Sequence, residues 1–93
     1  MQPVHPGRIL RREMAARDLS ANRLALLLRL PSGRITDILN GKRGISPESA
    51  LRLARYFGNS PRFWLNLQSA YDIRVAAQTA GAEIARLPKR RGG

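Results

Sequence analysis

The stretch PSGRITDILNGKR, residues 31 to 43, holds the side chains of this 93-residue chain whose types and spacing best suit chemistry. Arg34 carries a planar fork of donors that matches guanine O6 and N7, a contact that discriminates between bases by about 1–3 kcal/mol. Asp37, three positions on, can accept from a cytosine amine, can orient Arg34, or can simply pair with it as an exposed helix neighbour. Ser32 and Thr36 are able to touch bases, thymine methyls or phosphates, and Gly33 lets a backbone approach closely; the plain alternative for all three is a solvated helix face. Lys42 and Arg43 follow in a loop with nothing nearby to pair with, which suits them to phosphate. Asn40 reads either as a helix C-cap or as a further phosphate ligand.

Catalysis finds no comparable set. The chain has no cysteine, which removes disulfides, thiol chemistry and cysteine-based metal sites. His5 is the only histidine and reads as a loop or N-terminal cap residue. No paired carboxylates, metal-ligand spacing, nucleophile–base pair or phosphate-cradling loop is present, so no enzyme, metal or cofactor is expected. The formal charge of +11 comes from 17 Lys and Arg against 6 Asp and Glu, and fifteen of the 17 are Arg. Such an excess on a small body points to a polyanionic partner, against the bland reading of solubility with an Arg-rich coding bias. No apolar run reaches the ~20 residues that span a bilayer. MQPVHPGRIL lacks the apolar centre of a signal peptide. A soluble, cytoplasmic, nucleoid-associated protein with no membrane partner is expected.

Five helices must position these residues, and strand signals are poor. The first is expected from about Gly7 to Arg17, with Ile9, Leu10 and Met14 at helical spacing. Ser20 caps the second, whose Leu24, Leu27 and Leu28 face inward. Leu30-Pro31 ends it and opens the third, over Ser32 to Asn40, with Gly41 as its stop. Ser46, Pro47 and Glu48 open a fourth that runs to Phe57. Gly58, Ser60 and Pro61 repeat that punctuation for a fifth, expected to reach Ala80. On it Trp64, Leu67, Tyr71 and Val75 form an apolar stripe, read as a two-fold dimer seam, with pure core as the alternative. The domain is expected over residues 1–80, all-α, with its dimerisation helix at about 60–80. Residues 81–93 read as a flexible basic tail whose Arg86, Lys89, Arg90 and Arg91 either add nonspecific DNA affinity or are merely solvated.

The second and third helices, joined by a short turn, have the form of a helix-turn-helix, in which the second member enters the major groove. LSANRLALLLRLPSGRITDILNGKRGISPESALRLARYF resembles the Xre-type helix-turn-helix family. HPGRIL, RITDILNGKRGIS and ALRLARYFGNSPRFWLNLQSAYDIR are similar to the HigA-type antitoxins of bacterial toxin–antitoxin operons, over roughly residues 5 to 75. FWLNLQSAYD is the more specific part, because DNA binding by itself does not require it. The resemblance implies a homodimeric repressor that binds double-stranded operator DNA and neutralises a RelE-type mRNA-cleaving toxin. It implies base reading by Ser32, Gly33 and Asp37, with Arg34 and Thr36 beside them. Ala21 stands where many relatives have Gln, so the phosphate contact there passes to Asn22, Arg23 or backbone N–H groups. Arg8 stands where HigA relatives usually have Glu, and the first inter-helix segment is one residue short. The alternatives are an orphan Xre regulator without a toxin, and a basic RNA-binding or architectural protein; the latter leaves the Arg34, Thr36 and Asp37 face unexplained.

Overall fold

A computed structural model of the chain describes residues 2–90. It contains five helices: α1 Pro6–Ala16, α2 Ala21–Leu28, α3 Arg34–Leu39, α4 Pro47–Phe57 and α5 Pro61–Ile84. No strand occurs among the described residues.

Four of the five helix starts, all but that of α3, follow from a side chain that satisfies an otherwise orphaned N–H. Ser20, Ser46 and Ser60 accept from the N–H groups of Arg23, Ser49 and Phe63 at the heads of α2, α4 and α5. At the head of α1 the acceptor is His5, whose Nδ1 takes the Gly7 N–H at 2.9 Å, so the histidine is a cap. Pro6, Pro47 and Pro61 sit in first turns, where the missing N–H costs nothing.

The third helix departs from expectation. Arg29 takes a left-handed conformation (φ 57°) that closes α2, with the Leu30 N–H returning to the Ala25 carbonyl at 2.9 Å. Pro31, Ser32 and Gly33 then form a turn, bridged by the Arg34 N–H to the Pro31 carbonyl at 3.0 Å. α3 therefore begins at Arg34 rather than Ser32, and Pro31 lies outside its first turn. Gly33, at φ 99°, is the N-cap, a backbone position that side-chain-bearing residues rarely adopt.

The core is one cluster built from every helix: Leu10 and Met14 from α1, Leu24 and Leu28 from α2, Ile35 and Ile38 from α3, Leu53 and Ala54 from α4, and Trp64 from α5, with Ile45 added from the loop before α4. α1 and α2 both pack on α3, while α4 lies along α5. α3 is thus gripped from two sides, which suits a helix too short to be stable alone. α5 continues through Gly81 to Ile84, beyond the expected end at Ala80. Its 24 residues span about 36 Å at 1.5 Å per residue, which accounts for the elongated 51 × 24 × 22 Å envelope. Residues 85–87 turn, and 88–90 have no regular structure. Arg86, Lys89 and Arg90 are exposed, whereas Arg91 lies outside the described residues. No described helix is long and apolar enough to cross a membrane.

Candidate nucleic-acid interface

α2 and α3 meet through Leu24, Leu28, Ile35 and Ile38, all buried, so the two helices hold a fixed angle. The opposite side of this unit collects the polar residues. Asn22, Arg23, Ser32, Gly33, Thr36, Asn40, Lys42 and Arg43 are exposed, and Arg34 and Asp37 are half-buried. Every residue expected to face DNA is thus open to solvent on the α2–α3 unit or on the loop that follows it.

Their bonding shows which of them are free to act. Among the described residues two ion pairs form, Arg17–Glu13 at 3.1 Å and Arg52–Glu48 at 3.0 Å, and neither involves this surface. Arg34 and Asp37 do not pair within 4 Å, which removes the exposed helix pair as an account of either residue. Asn40 occupies the C-cap of α3, but the bonds there are made by its backbone N–H, to the Thr36 and Ile38 carbonyls. The Arg23 N–H is already taken by Ser20 Oγ at 3.1 Å, which leaves Arg23 only its exposed side chain to offer a partner. At the C-terminal end of α3 the Asp37 carbonyl accepts from both the Lys42 N–H (2.9 Å) and the Arg43 N–H (3.2 Å). These two hydrogen bonds to one carbonyl fold the loop back onto α3 and place two cations beside it. The physical content of the arrangement is a row of unpaired donors of positive charge flanking a small, polar helix face, which is what a duplex groove with phosphates on either side accepts.

Two residues that sequence reasoning passed over complete this loop. Gln68 on α5 accepts from the Ile45 N–H through Oε1 at 2.7 Å, and its Nε2 donates to Asp72 Oδ1 at 3.0 Å. Gly44 sits directly over the Gln68 carboxamide, so a Cβ added there would displace that amide. The signal for this pair was a Gln and an Asp four apart on one helix; the contact itself spans 23 residues and leaves no local mark. Arg52 was also missed. Its Nη1 donates to the Leu28 carbonyl at 2.8 Å, tying the C-terminal end of α2 to α4.

The expected dimer seam divides. Trp64 is 0% exposed, with Nε1 donating to Asn59 Oδ1 at 2.8 Å and its rings packed on Phe57 and Phe63. It belongs to the core cluster of this chain and cannot reach a second copy. Leu67 packs partly on the core, Tyr71 meets His5 edge-on at 4.8 Å, and Val75 is half-buried. Further along, Ile73 and Ile84 are 66% and 55% exposed. They lie three turns apart on one side of α5, away from the Tyr71–Val75 side.

A separate groove of about 800 Å3 lies between the C-terminal end of α2 and α4, lined by Leu51 and Tyr56, by Leu27, which is exposed rather than inward-facing as expected, and by Arg29, Arg52 and Arg55. No residue of α3 or of the 41–45 loop lines it. Among the described residues no group of three or more His, Asp or Glu gathers as metal ligands would.

The helix-turn-helix family HTH_3 matches residues 10–64. Virulence-associated protein I of Dichelobacter nodosus is 47% identical over 79 residues, covering 84% of this chain and 73% of that protein. Among solved structures, an addiction module antidote protein of the HigA family from Coxiella burnetii superposes with a TM-score of 0.93 at 49% identity, covering 97% of this chain and 99% of the other. The antitoxin HigA of Pseudomonas aeruginosa, solved with the higBA promoter, gives a TM-score of 0.92 at 40% identity over the same shares.

Proposed function

The chain belongs to the Xre-type helix-turn-helix family, in its HigA antitoxin branch, and from that premise we propose that it is a dimeric, sequence-specific repressor of its own operon that also neutralises a RelE-type mRNA-cleaving toxin in the cytoplasm. The observation that carries the DNA part is the free state of Arg34, Lys42 and Arg43. Each is presented on or beside α3 without an internal ion pair, in a fold whose α2–α3 unit has the groove-reading form. Arg34 reads a base edge. Ser32, Gly33, Thr36 and Asp37 line the same face. Asn22, Arg23, Asn40, Lys42 and Arg43 hold phosphates and set the register.

Dimerisation is supported by α5. A helix that projects from the body and is apolar on two sides, with Tyr71 and Val75 on one and Ile73 and Ile84 on the other, leaves apolar surface that a second copy covers. Two copies then meet two half-sites one duplex turn apart, about 34 Å. A protein partner besides the second copy is supported by the α2–α4 groove, whose apolar floor is separate from the reading surface, and by the antitoxin identity of the relatives.

The test is footprinting of the purified chain on the DNA upstream of its own gene, with and without the product of the adjacent reading frame. Protection of a palindrome, and rescue of cell growth from the neighbouring product by co-expression of this chain, are the expected results. Equal binding to promoter and random DNA at physiological salt would sink the repressor, and absence of growth rescue would sink the antitoxin.

A further inference from the structure

We propose that Gln68, on the helix that leads away from the DNA-reading unit, is the positioning residue of the phosphate-holding loop, and that Asp72 sets the orientation in which it does so. This rests on the reading of Lys42 and Arg43 as phosphate ligands.

The loop from Gly41 to Ile45 carries both cations but has few means of holding its shape. Gly41 is left-handed (φ 74°), and Lys42 and Arg43 are exposed side chains with no ion pair. One end is fixed to α3 by the Asp37 carbonyl, which accepts from the Lys42 and Arg43 N–H groups. The other end is fixed by Ile45, whose side chain is buried in the core and whose N–H donates to Gln68 Oε1 at 2.7 Å. Between these ends Gly44 rests on the Gln68 carboxamide so closely that an added Cβ would lie 2.9 Å from it. The amide is not free to turn over. Its Nε2 donates to Asp72 Oδ1 at 3.0 Å, which forces the oxygen toward Ile45. A flipped amide would set an NH2 group against the Ile45 N–H and an oxygen against a carboxylate, losing both bonds.

The chain of contacts therefore runs Asp72, Gln68, Ile45, loop cations. Flexible cations pay for each phosphate contact in lost freedom, and a loop held in shape beforehand pays less. The effect belongs to the backbone contact and not to base reading, so it should act equally on all DNA sequences.

The experiment measures binding of the full chain to a duplex from upstream of its own gene and to a random duplex, over a range of salt, together with hydrogen exchange of the Ile45 amide in the free protein. Gln68→Leu keeps the bulk and removes the acceptor. It is expected to expose the Ile45 amide to exchange and to weaken both duplexes alike, by roughly tenfold, with a salt slope flattened by about one to two. Gln68→Glu sets a carboxylate against Asp72 and is expected to weaken binding too. The double variant Gln68→Glu with Asp72→Asn restores both bonds with amide and carboxylate exchanged, and is expected to recover binding and Ile45 protection. In a background of Lys42→Ala with Arg43→Ala, Gln68→Leu should cost nothing further. An additive cost in that background, or failure of the double variant to rescue although it folds, overturns the proposal. An unchanged salt slope in the Lys42→Ala, Arg43→Ala protein alone overturns the phosphate reading of the loop, and the proposal with it, whatever the Ile45 amide does.

Discussion

Gly7 of α1 lies so close beneath the main-chain carbonyl of Ile38 that a single methyl group at Gly7 would collide with the oxygen. The obstacle is backbone, held by the α3 hydrogen bonds and by Ile38 in the core, so it cannot step aside as a flexible side chain would. Gly7→Ala, which in an open helix would stabilise by roughly 1 kcal/mol, is expected here to destabilise by about 2 kcal/mol. The thermal midpoint should fall by about 10 °C in a domain of this size. A midpoint equal to or above that of the parent protein would show that α1 and α3 are free to separate.

Arg34 and Lys42 are expected to fail differently when removed. Arg34→Ala should weaken the preferred DNA site by about 1–3 kcal/mol and relax preference at one base position, with little change on random DNA. Lys42→Ala should weaken all sequences together and lower the salt slope by about one. Competition binding over a panel of single-base site variants separates the two. Identical profiles would undo the division into a reader and an anchor.

Charge placed on the projecting part of α5 should act on assembly and leave the fold intact, because that part is not in the core cluster. Val75→Glu or Ile73→Glu is expected to yield a monomer by sedimentation, with helicity retained and cooperative binding to a two-half-site duplex lost. Ile73 and Val75 lie on different sides of the helix, so the pair also reports which side meets the second copy. If both variants remain dimeric, the seam lies elsewhere on the molecule.

Acid should loosen the start of α1. Burial holds His5 below the ordinary histidine value of 6.5, an effect larger than the opposing pull of the Asp72 carboxylate, and Nδ1 can cap Gly7 only while unprotonated. The unfolded chain therefore binds the proton more readily than the folded one, so stability rises with pH through this region. It is full above the ordinary value and is lost as pH falls below it, toward the lowered folded value. Thermal midpoints measured from about pH 7 to about pH 5 should fall, and His5→Asn, which caps without titrating, should flatten the curve. A parent curve that is already flat would exclude His5 as its source.

Much of this architecture could be read from punctuation. Ser20, Ser46 and Ser60, with prolines just inside α4 and α5, mark helix starts by local bonds that do not depend on the rest of the fold. The polar face of α3 was legible for the same reason, since it is defined by what is missing from it. The errors arose where a local sign had two readings or where the cause was distant. Pro31 reads as a first-turn residue, but the left-handed Arg29 had already ended α2 and left room for a turn. Trp64 lies on a stripe with Leu67, Tyr71 and Val75, and periodicity cannot say that its ring is fully buried with its N–H donated to Asn59. α5 outran its expected end because a lone Gly81 in an alanine-rich helix lowers propensity without stopping it. The Gln68–Ile45 bond, formed across 23 residues, has no local signature at all. FWLNLQSAYD, a stretch that DNA binding by itself does not require, contains Gln68, whose Oε1 accepts from the Ile45 N–H at the end of the cationic loop.

Arg34 and Thr36 carry no side-chain hydrogen bond or ion pair to the rest of the chain, and α3 has no side-chain cap at Gly33. Its stability comes instead from Ile35 and Ile38 beneath it and from α1 and α2 at its flanks. On the proposed reading of α3, residues that choose a sequence and residues that maintain the scaffold are therefore nearly separate sets. A lineage can exchange the outward positions of α3 and acquire a new operator at little cost to folding, so duplicated copies of such a gene can diverge into regulators that ignore one another's promoters.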